Sequence, residues 1–185
     1  MRQYRLLEQT DVATDRIYTG EVARLHSLVN QRPPFDAKNP YLAPMKVNRE
    51  LHKSGDRSCM HVEFDLEGSK MRYEAGDHLA VYPVNDSDLV ERLGKLCNAG
   101  LQSVFSLINL DTDSSKKHPF PCPTTYGAAL THYLEITALP RTHIIKELAE
   151  YCSDEKDKEF LKLMASTTPE GKTKYQEWIQ ESCRN

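Results

Sequence analysis

The stretch "YEAGDHLAVYPVND", Tyr73–Asp86, places a polar turn directly before an apolar run. Leu79, Val81 and Val84 predict a buried strand that is interrupted near its end by a proline. In the simplest interpretation, Gly76–His78 only launches this strand: glycine supplies a positive φ, aspartate bonds to the backbone, and histidine is a neutral filler. Alternatively, the turn delivers the imidazole to a function, and the residue types alone leave both interpretations open.

The residues before this stretch predict β-structure up to residue 84. "QYRLLEQ" (3–9) and "IYTGEVARLHSL" (17–28) predict short strands separated by turn residues. "CMHVEFDL" (59–66) alternates between polar residues and an apolar face, which is the period of a half-buried strand. Several short strands at this spacing predict a small antiparallel β-barrel or sandwich.

From Asn85 onward the apolar residues follow a helical period. Asp88 is a predicted N-cap, with Glu91 as its capping-box partner. "LPRTHIIKELAEYC" (139–152), "DEKDKEFLKLMA" (154–165) and "GKTKYQEWIQESC" (171–183) predict three more helices. Between the first helix and these three, we expect a proline-rich loop with one short helix. The predicted fold class is therefore α+β, with a β part at 1–84 and a helical part at 85–185.

The bulk composition excludes several classes of function. The net charge is −3, so no basic excess argues for nucleic acid or an anionic membrane. Five cysteines without a C-x-x-C pair indicate neither a disulfide framework nor a zinc site, and they favour a reducing compartment. No apolar run has the ~18 residues of a membrane-spanning helix.

The residue patterns single out few candidates for chemistry. Glycine-rich phosphate loops, nucleophile elbows and zinc-protease motifs do not occur in the sequence. His61 is predicted to lie exposed on its strand, and Glu21 and His26 are predicted to lie too far apart on theirs to interact. We therefore predict no metal site and assign no catalytic residue from residue patterns.

The opening stretch resembles the Y-x-x-G-D-H-x-x-V-x-P-x-N motif of the diflavin reductases. Two further strings, "PPFDAKNPYLA" (33–43) and "KKHPFPCPTTY" (116–126), resemble the branch of that family that serves cytochromes P-450. They are less similar to nitric-oxide synthase reductase domains or the sulfite reductase flavoprotein. "RQYRL" (2–6) and "GKTKYQEWIQESCRN" (171–185) extend the resemblance over essentially the whole chain.

The resemblance implies an electron-transfer function. Family members carry electrons from NADPH to FAD, then to FMN, and then to haem proteins such as cytochromes P-450. Their ferredoxin-reductase-type FAD domain is an antiparallel β-barrel interrupted by a helical connecting insert. By this resemblance, 1–84 is a partial FAD-binding barrel and 85–185 is the helical insert, incomplete at its C-terminus. The family works at the cytoplasmic face of the endoplasmic reticulum, and we expect this chain without an anchor to be cytosolic.

The resemblance also implies roles for three residues. Arg57 matches an arginine that contacts the phosphate region of NADP, and a guanidinium suits this role because it grips phosphate oxygens with paired donors. His78 matches a histidine near the bound FAD. The family's adjacent arginine pair, of which one holds FAD, reads Cys183-Arg184 here. Arg184 is the FAD contact if the second position binds, and the alternative is that the contact is lost.

Some family motifs are not found in the sequence. It has no R-x-Y-S flavin motif and no glycine-rich pyrophosphate loop. Because hydride transfer needs the nicotinamide positioned against the flavin, we expect a fragment or truncated isoform that is inactive alone. Two alternatives stay open: a non-catalytic docking or connecting module, and a fragment of another diflavin reductase.

Overall fold

A computed structural model describes residues 3–55, 57–111 and 117–182. The chain forms two compact units, Met1–Glu135 and Ile136–Asn185. The described residues combine two small antiparallel sheets with five α-helices, which confirms the mixed α and β class. The strands in chain order are β1 (Tyr4–Gln9), β2 (Met45–Glu50), β3 (Met60–Phe64), β4 (Val104–Asn109) and β5 (Thr124–Thr125). The helices are α1 (Ser87–Leu96), α2 (Tyr126–Ala128), α3 (Thr142–Ala149), α4 (Glu155–Met164) and α5 (Pro169–Ser182).

The first sheet joins the start of the chain to its middle. Its strand order is β1-β4-β5, and both pairs are antiparallel. Tyr4 lies opposite Asn109, and the register continues without a shift to Gln9 opposite Val104. Strand β4 was not predicted, because it lies in the part of the chain that was assigned to helices. The first compact unit therefore extends well beyond the change of sequence period near residue 85.

The predicted strand at 17–28 is wrong. Apart from an isolated bridge between Tyr18 and Thr124, this segment forms turns and bends. The carboxylate of Glu21 accepts hydrogen bonds from the backbone N–H groups of Thr19 and His26, at 2.7 and 3.0 Å. Because these two N–H groups bond to the Glu21 side chain, the segment bends around the carboxylate. The same N–H groups are then not available for the hydrogen bonds of a β-ladder.

The second sheet is a hairpin of β2 and β3. The strands are antiparallel, with Glu50 opposite Met60 and an irregularity between Met45 and Val47. The alternating stretch at 59–66 was correctly predicted as a strand, and β3 covers its centre. Its predicted apolar face, formed by Met60, Val62 and Phe64, remains exposed in part because no second layer of the described residues buries it.

An aromatic cluster forms the core beside the first sheet. The buried ring of Phe105 in β4 lies 4.7 Å from the ring of Tyr126, measured between centroids. Phe120 stacks on Tyr133 at 5.2 Å. Val90 of α1 is buried in the same unit. Such ring pairs bury large apolar areas, so the "HPFPCP" string packs the core as well as forming a loop.

Helix α1 begins at Ser87, and its N-cap differs from the prediction. The carboxylate of Asp86 accepts hydrogen bonds from the backbone N–H groups of Asp88 and Leu89, at 2.9 and 3.1 Å. Asp86 is therefore the N-cap, and the predicted capping residue, Asp88, lies inside the first turn.

The second unit contains the three helices predicted from apolar periodicity. Ile145 and Ala149 of α3 are buried, as is Met164 of α4. The hydroxyl of Tyr175 in α5 donates to the carbonyl of Pro140 at 3.0 Å and ties α5 to the segment before α3. The described part of the chain contains no helix that is long and apolar enough to cross a membrane.

Adjacent isoleucines in α3 test which helix face supports this unit. Ile145 is 2% exposed and Ile144 is 45% exposed. We expect Ile145→Ala to lower the free energy of unfolding by about 2–5 kcal/mol, because it leaves a cavity. Ile144→Ala is the matched control and should cost less than about 1 kcal/mol beyond helix propensity. Urea denaturation measures both, and equal losses would contradict the assigned face.

Candidate cofactor-binding site

The turn at Gly76 has the geometry that its sequence predicts. Gly76 has a φ of 99°, in the region that favours glycine. The backbone N–H of Asp77 donates to the carbonyl of Glu74 at 3.1 Å, and the N–H of Glu74 donates to the Asp77 carboxylate at 2.8 Å. Both bonds close the same four-residue turn, after which His78 follows with its side chain exposed.

The segment after His78 is not the buried strand that was predicted. Leu79, Val81 and Val84 are 76%, 62% and 63% exposed, and residues 78–86 have no regular secondary structure. Burial of such side chains requires a paired sheet and an opposing layer. No strand of the described residues pairs with this segment, so its apolar side chains stay uncovered.

Hydrogen bonds fix the far end of this segment. The Tyr82 hydroxyl donates to the carbonyl of Ala37 at 2.7 Å. The side-chain amide of Asn85 donates to the carbonyls of Leu130 and Leu134, at 2.6 and 2.7 Å. Its backbone N–H also bonds to Thr131, on the π-helical turn Ala129–Tyr133 that follows α2. The segment that carries His78 is thus attached to two other parts of its unit.

The loop that receives Tyr82 holds its own shape. Asp36 accepts hydrogen bonds from the backbone N–H groups of Lys38 and Asn39, at 2.8 and 2.9 Å. The Asn39 side chain donates to the carbonyls of Arg32 and Pro34, both at 2.8 Å. These bonds give Asp36 and Asn39 of "PPFDAKNPYLA" a structural role, because they shape the loop whose Ala37 carbonyl accepts the bond from Tyr82.

Arg57 lies exposed on the loop between β2 and β3. Glu50, the last residue of β2, accepts hydrogen bonds from the backbone N–H groups of His52 and Cys59, at 2.8 and 2.9 Å, and from the Ser58 hydroxyl. These hydrogen bonds lower the pKa of Glu50 to about 2, with the largest effect from the Ser58 hydroxyl and smaller ones from the two N–H groups. The carboxylate therefore stays ionised at neutral pH.

Sequence reasoning missed the role of Glu50. The only available signal was a carboxylate at the end of a strand, followed by a polar loop with serine and glycine. Its three donors are identified only when the hairpin register brings both ends of the loop together. Arg57 and His78 both belong to the unit Met1–Glu135. Arg184 and its neighbour Cys183 lie outside the described residues.

Glu21 is buried in the same unit and belongs to a polar cluster. It was predicted to lie too far from His26 to interact, but it accepts a hydrogen bond from the His26 backbone N–H. Burial would raise the pKa of Glu21, but the backbone N–H groups of Thr19 and His26 hold it below its usual value. The Tyr133 hydroxyl donates to the carbonyl of Glu21 at 2.9 Å and accepts from the N–H of Gly20 at 3.1 Å. Burial raises the pKa of Tyr133, so its hydroxyl remains a donor.

A family model described as an FAD binding domain matches residues 33–185. The chain belongs to this FAD-binding domain family. The match includes both the loop of Arg57 and the segment of His78. The family match supports FAD as a cofactor of this domain.

The chain is also similar to reductases over its whole length. It is 77% identical to the NADPH–cytochrome P450 reductase of Drosophila melanogaster and 78% identical to that of Musca domestica, in each case over 100% of this chain. Its identity to the Homo sapiens NADPH–cytochrome P450 reductase is 53%. These findings confirm the resemblance predicted from the sequence. The chain spans 27%, 28% and 27% of the lengths of these three relatives.

The bonds of Asn85 predict how firmly the His78 segment is held. We expect Asn85→Ala to lower the free energy of unfolding by about 1–3 kcal/mol, because the carbonyls of Leu130 and Leu134 lose their side-chain donor. The backbone N–H of residue 85, which bonds to the carbonyl of Thr131, should then exchange hydrogen faster than in the unmodified protein. Asn30→Ala removes an exposed amide and serves as the control. If the hydrogen-exchange rate were unchanged in Asn85→Ala, the conclusion that Asn85 holds the His78 segment in place would be refuted.

The lowered pKa of Glu21 predicts a pH dependence of stability. Because the folded pKa lies below the unfolded value of 4.5, the unfolded state binds more protons as the pH falls. The contribution of Glu21 is fully present above the unfolded pKa and is lost as the pH drops through the folded pKa. Urea denaturation between pH 7 and pH 3 should show a shallower pH slope for Glu21→Gln than for exposed Glu67→Gln. Equal slopes would contradict the assignment.

Proposed function

We propose that this chain is part of the FAD domain of an NADPH-dependent diflavin oxidoreductase. The reaction passes electrons from NADPH through FAD and FMN to haem proteins such as cytochromes P-450. One observation carries the proposal: the whole chain is 77% identical to a protein named NADPH–cytochrome P450 reductase, and residues 33–185 match an FAD binding domain. The relatives are much longer than this chain, so the complete reaction belongs to a longer polypeptide.

We assign His78 to the FAD site. The imidazole is exposed and directly follows the turn at Gly76, and the exposed apolar residues Leu79 and Val81 come next in the chain. Such a surface fits a flavin ring, which has a large apolar face and polar edges. FAD, when bound, supplies the group that accepts hydride from NADPH and releases electrons onward. The chain itself contributes a polar side chain and an apolar face to that group.

We assign Arg57 to the phosphate region of NADP. Its guanidinium is exposed on the β2–β3 loop, where it is accessible to an anionic ligand. Arginine suits phosphate because its donors form paired bonds with two oxygens. Arg184 remains a proposed FAD contact outside the described residues, and it holds only if the second of the two family positions is the one that binds.

We propose the division into a partial barrel at 1–84 and a connecting domain at 85–185. The exposed apolar side chains of β3 and of the irregular, unpaired segment at 78–86 support it, since such apolar surface is normally covered by further strands. Haem-protein partners and a location at the cytoplasmic face of the endoplasmic reticulum follow from the same reductase assignment. We expect the 185-residue chain alone to lack reductase activity.

The test measures flavin binding and turnover in the longer reductase that contains this segment. We expect NADPH-dependent reduction of cytochrome c, with FAD retained through gel filtration. His78→Ala should raise the dissociation constant of FAD by up to about tenfold, the loss of roughly one hydrogen bond and its packing. His143→Ala, an exposed histidine of α3, is the control. A full-length product without NADPH-dependent reduction would overturn the proposal.

A second candidate function is a non-catalytic connecting module. It is favoured by the exposed apolar side chains of Ile144 and Leu148, which lie one turn apart on α3, and by exposed Tyr151 just after the helix. The 185-residue chain, incubated with FAD and gel-filtered, separates the two functions. A colourless, monodisperse protein with a cooperative melt favours the module, whereas retained flavin absorption favours a cofactor-binding part. Aggregation would argue against a module.

A further inference from the structure

The carboxylate of Glu50 links the two ends of the β2–β3 loop. Glu50 ends β2, and the ladder beyond it continues with the backbone bond from Leu51 N–H to the Cys59 carbonyl, at 2.8 Å. The Glu50 oxygens accept from His52 N–H on one side of the loop and from Cys59 N–H on the other, at 2.8 and 2.9 Å. The Ser58 hydroxyl adds a third donor, directly next to Arg57 in the chain.

This arrangement constrains Arg57 more than an ordinary hairpin loop would. The residue that follows Arg57 is bonded through its side chain, and the next is bonded through its backbone. Hydrogen bonds to an ionised acceptor are stronger than those between neutral groups. A loop that is already ordered loses less conformational freedom when it binds a ligand, and this raises affinity without a new contact.

We propose that Glu50 is a positioning residue that holds the β2–β3 loop in the shape that presents Arg57 to the phosphate of NADP. This inference rests on the proposed function, in which Arg57 binds that phosphate. Glu50 itself does not contact the ligand. Its carboxylate is held by donors from the loop, and it acts only through the position of the arginine.

The charge of Glu50 makes the direction of the effect diagnostic. A carboxylate near an anionic ligand repels it, so charge alone predicts tighter NADP binding when Glu50 becomes neutral. Loss of positioning predicts weaker binding from the same change. Ser58→Ala provides a second variant, since it removes one bond to Glu50 without altering any charge.

The experiment is a calorimetric titration of the full-length, FAD-loaded reductase with NADP⁺. We expect Glu50→Gln and Ser58→Ala to raise the dissociation constant about three- to tenfold, the equivalent of about one hydrogen bond. FAD content and kcat at saturating NADPH should not change. The matched control is Glu63→Gln, which removes the same charge from β3, where Glu63 bonds the partly exposed ring of His61 at 2.7 Å.

A double-mutant cycle with Arg57→Ala separates the two proposals. If Glu50 acts through Arg57, Glu50→Gln should add nothing in the Arg57→Ala background. If Arg57→Ala weakens NADP⁺ binding but Glu50→Gln leaves it unchanged, tightens it or adds its effect in full, the positioning inference is overturned and the role of Arg57 stands. If Arg57→Ala leaves binding unchanged, the proposed role of Arg57 fails, and the inference fails with it.

Discussion

The antiparallel pairing of β1 with β4 is the constraint on which the first unit depends. It joins residues 4–9 to residues 104–109 and therefore closes a loop that contains the hairpin, the candidate cofactor segment and α1. Closing so long a loop costs conformational entropy, although this cost grows only slowly with loop length. Burial of Phe105 and its contacts with the rings of Tyr126 and Phe120 offset that cost. The aromatic cluster and the sheet are thus one cooperative element.

Asn85 and Asp86 connect this element to the candidate site. Asn85 bonds to the carbonyls at the π-helical turn, and the next residue, Asp86, caps α1. Both side chains satisfy backbone groups at helix ends, which would otherwise lack partners. These two consecutive residues therefore attach the end of the His78 segment to the π-helical turn and to α1. The Asp86 carboxylate bonds two and three residues ahead in the chain, whereas the Asn85 amide joins its segment to carbonyls 45 and 49 residues away.

The sequence predicted what depends on local periodicity. Helices α3, α4 and α5 and strand β3 follow from spacing alone, because their side-chain patterns repeat over several turns or residues. Strand β4 was missed because its neighbours in sequence are helical and its identity depends on a partner about a hundred residues away. The segment at 79–84 was predicted to be buried for the opposite reason: its pattern indicates a strand, but burial depends on a layer that the pattern does not contain.

The same distinction applies to the candidate site. The family resemblance pointed to Arg57 and His78, and the turn at Gly76 followed from its residue types. The partners of Glu50 and Glu21 could not be predicted, because most of their donors are backbone N–H groups that are oriented only after folding. A backbone donor leaves no mark on the amino-acid sequence, so carboxylates that organise loops look like ordinary surface charges.

Arg57 and His78 share one physical property: their segments are held by polar bonds and not by burial. Each such bond contributes only about 1 kcal/mol net, so these segments lie at the low-stability end of the unit. That property leaves both segments free to adjust locally, while the β1–β4 sheet and the aromatic core keep their attachment points in place. The exposed apolar side chains of Leu79, Val81 and Val84 have the same consequence, since their burial becomes available as binding energy only when a ligand or a further layer covers them.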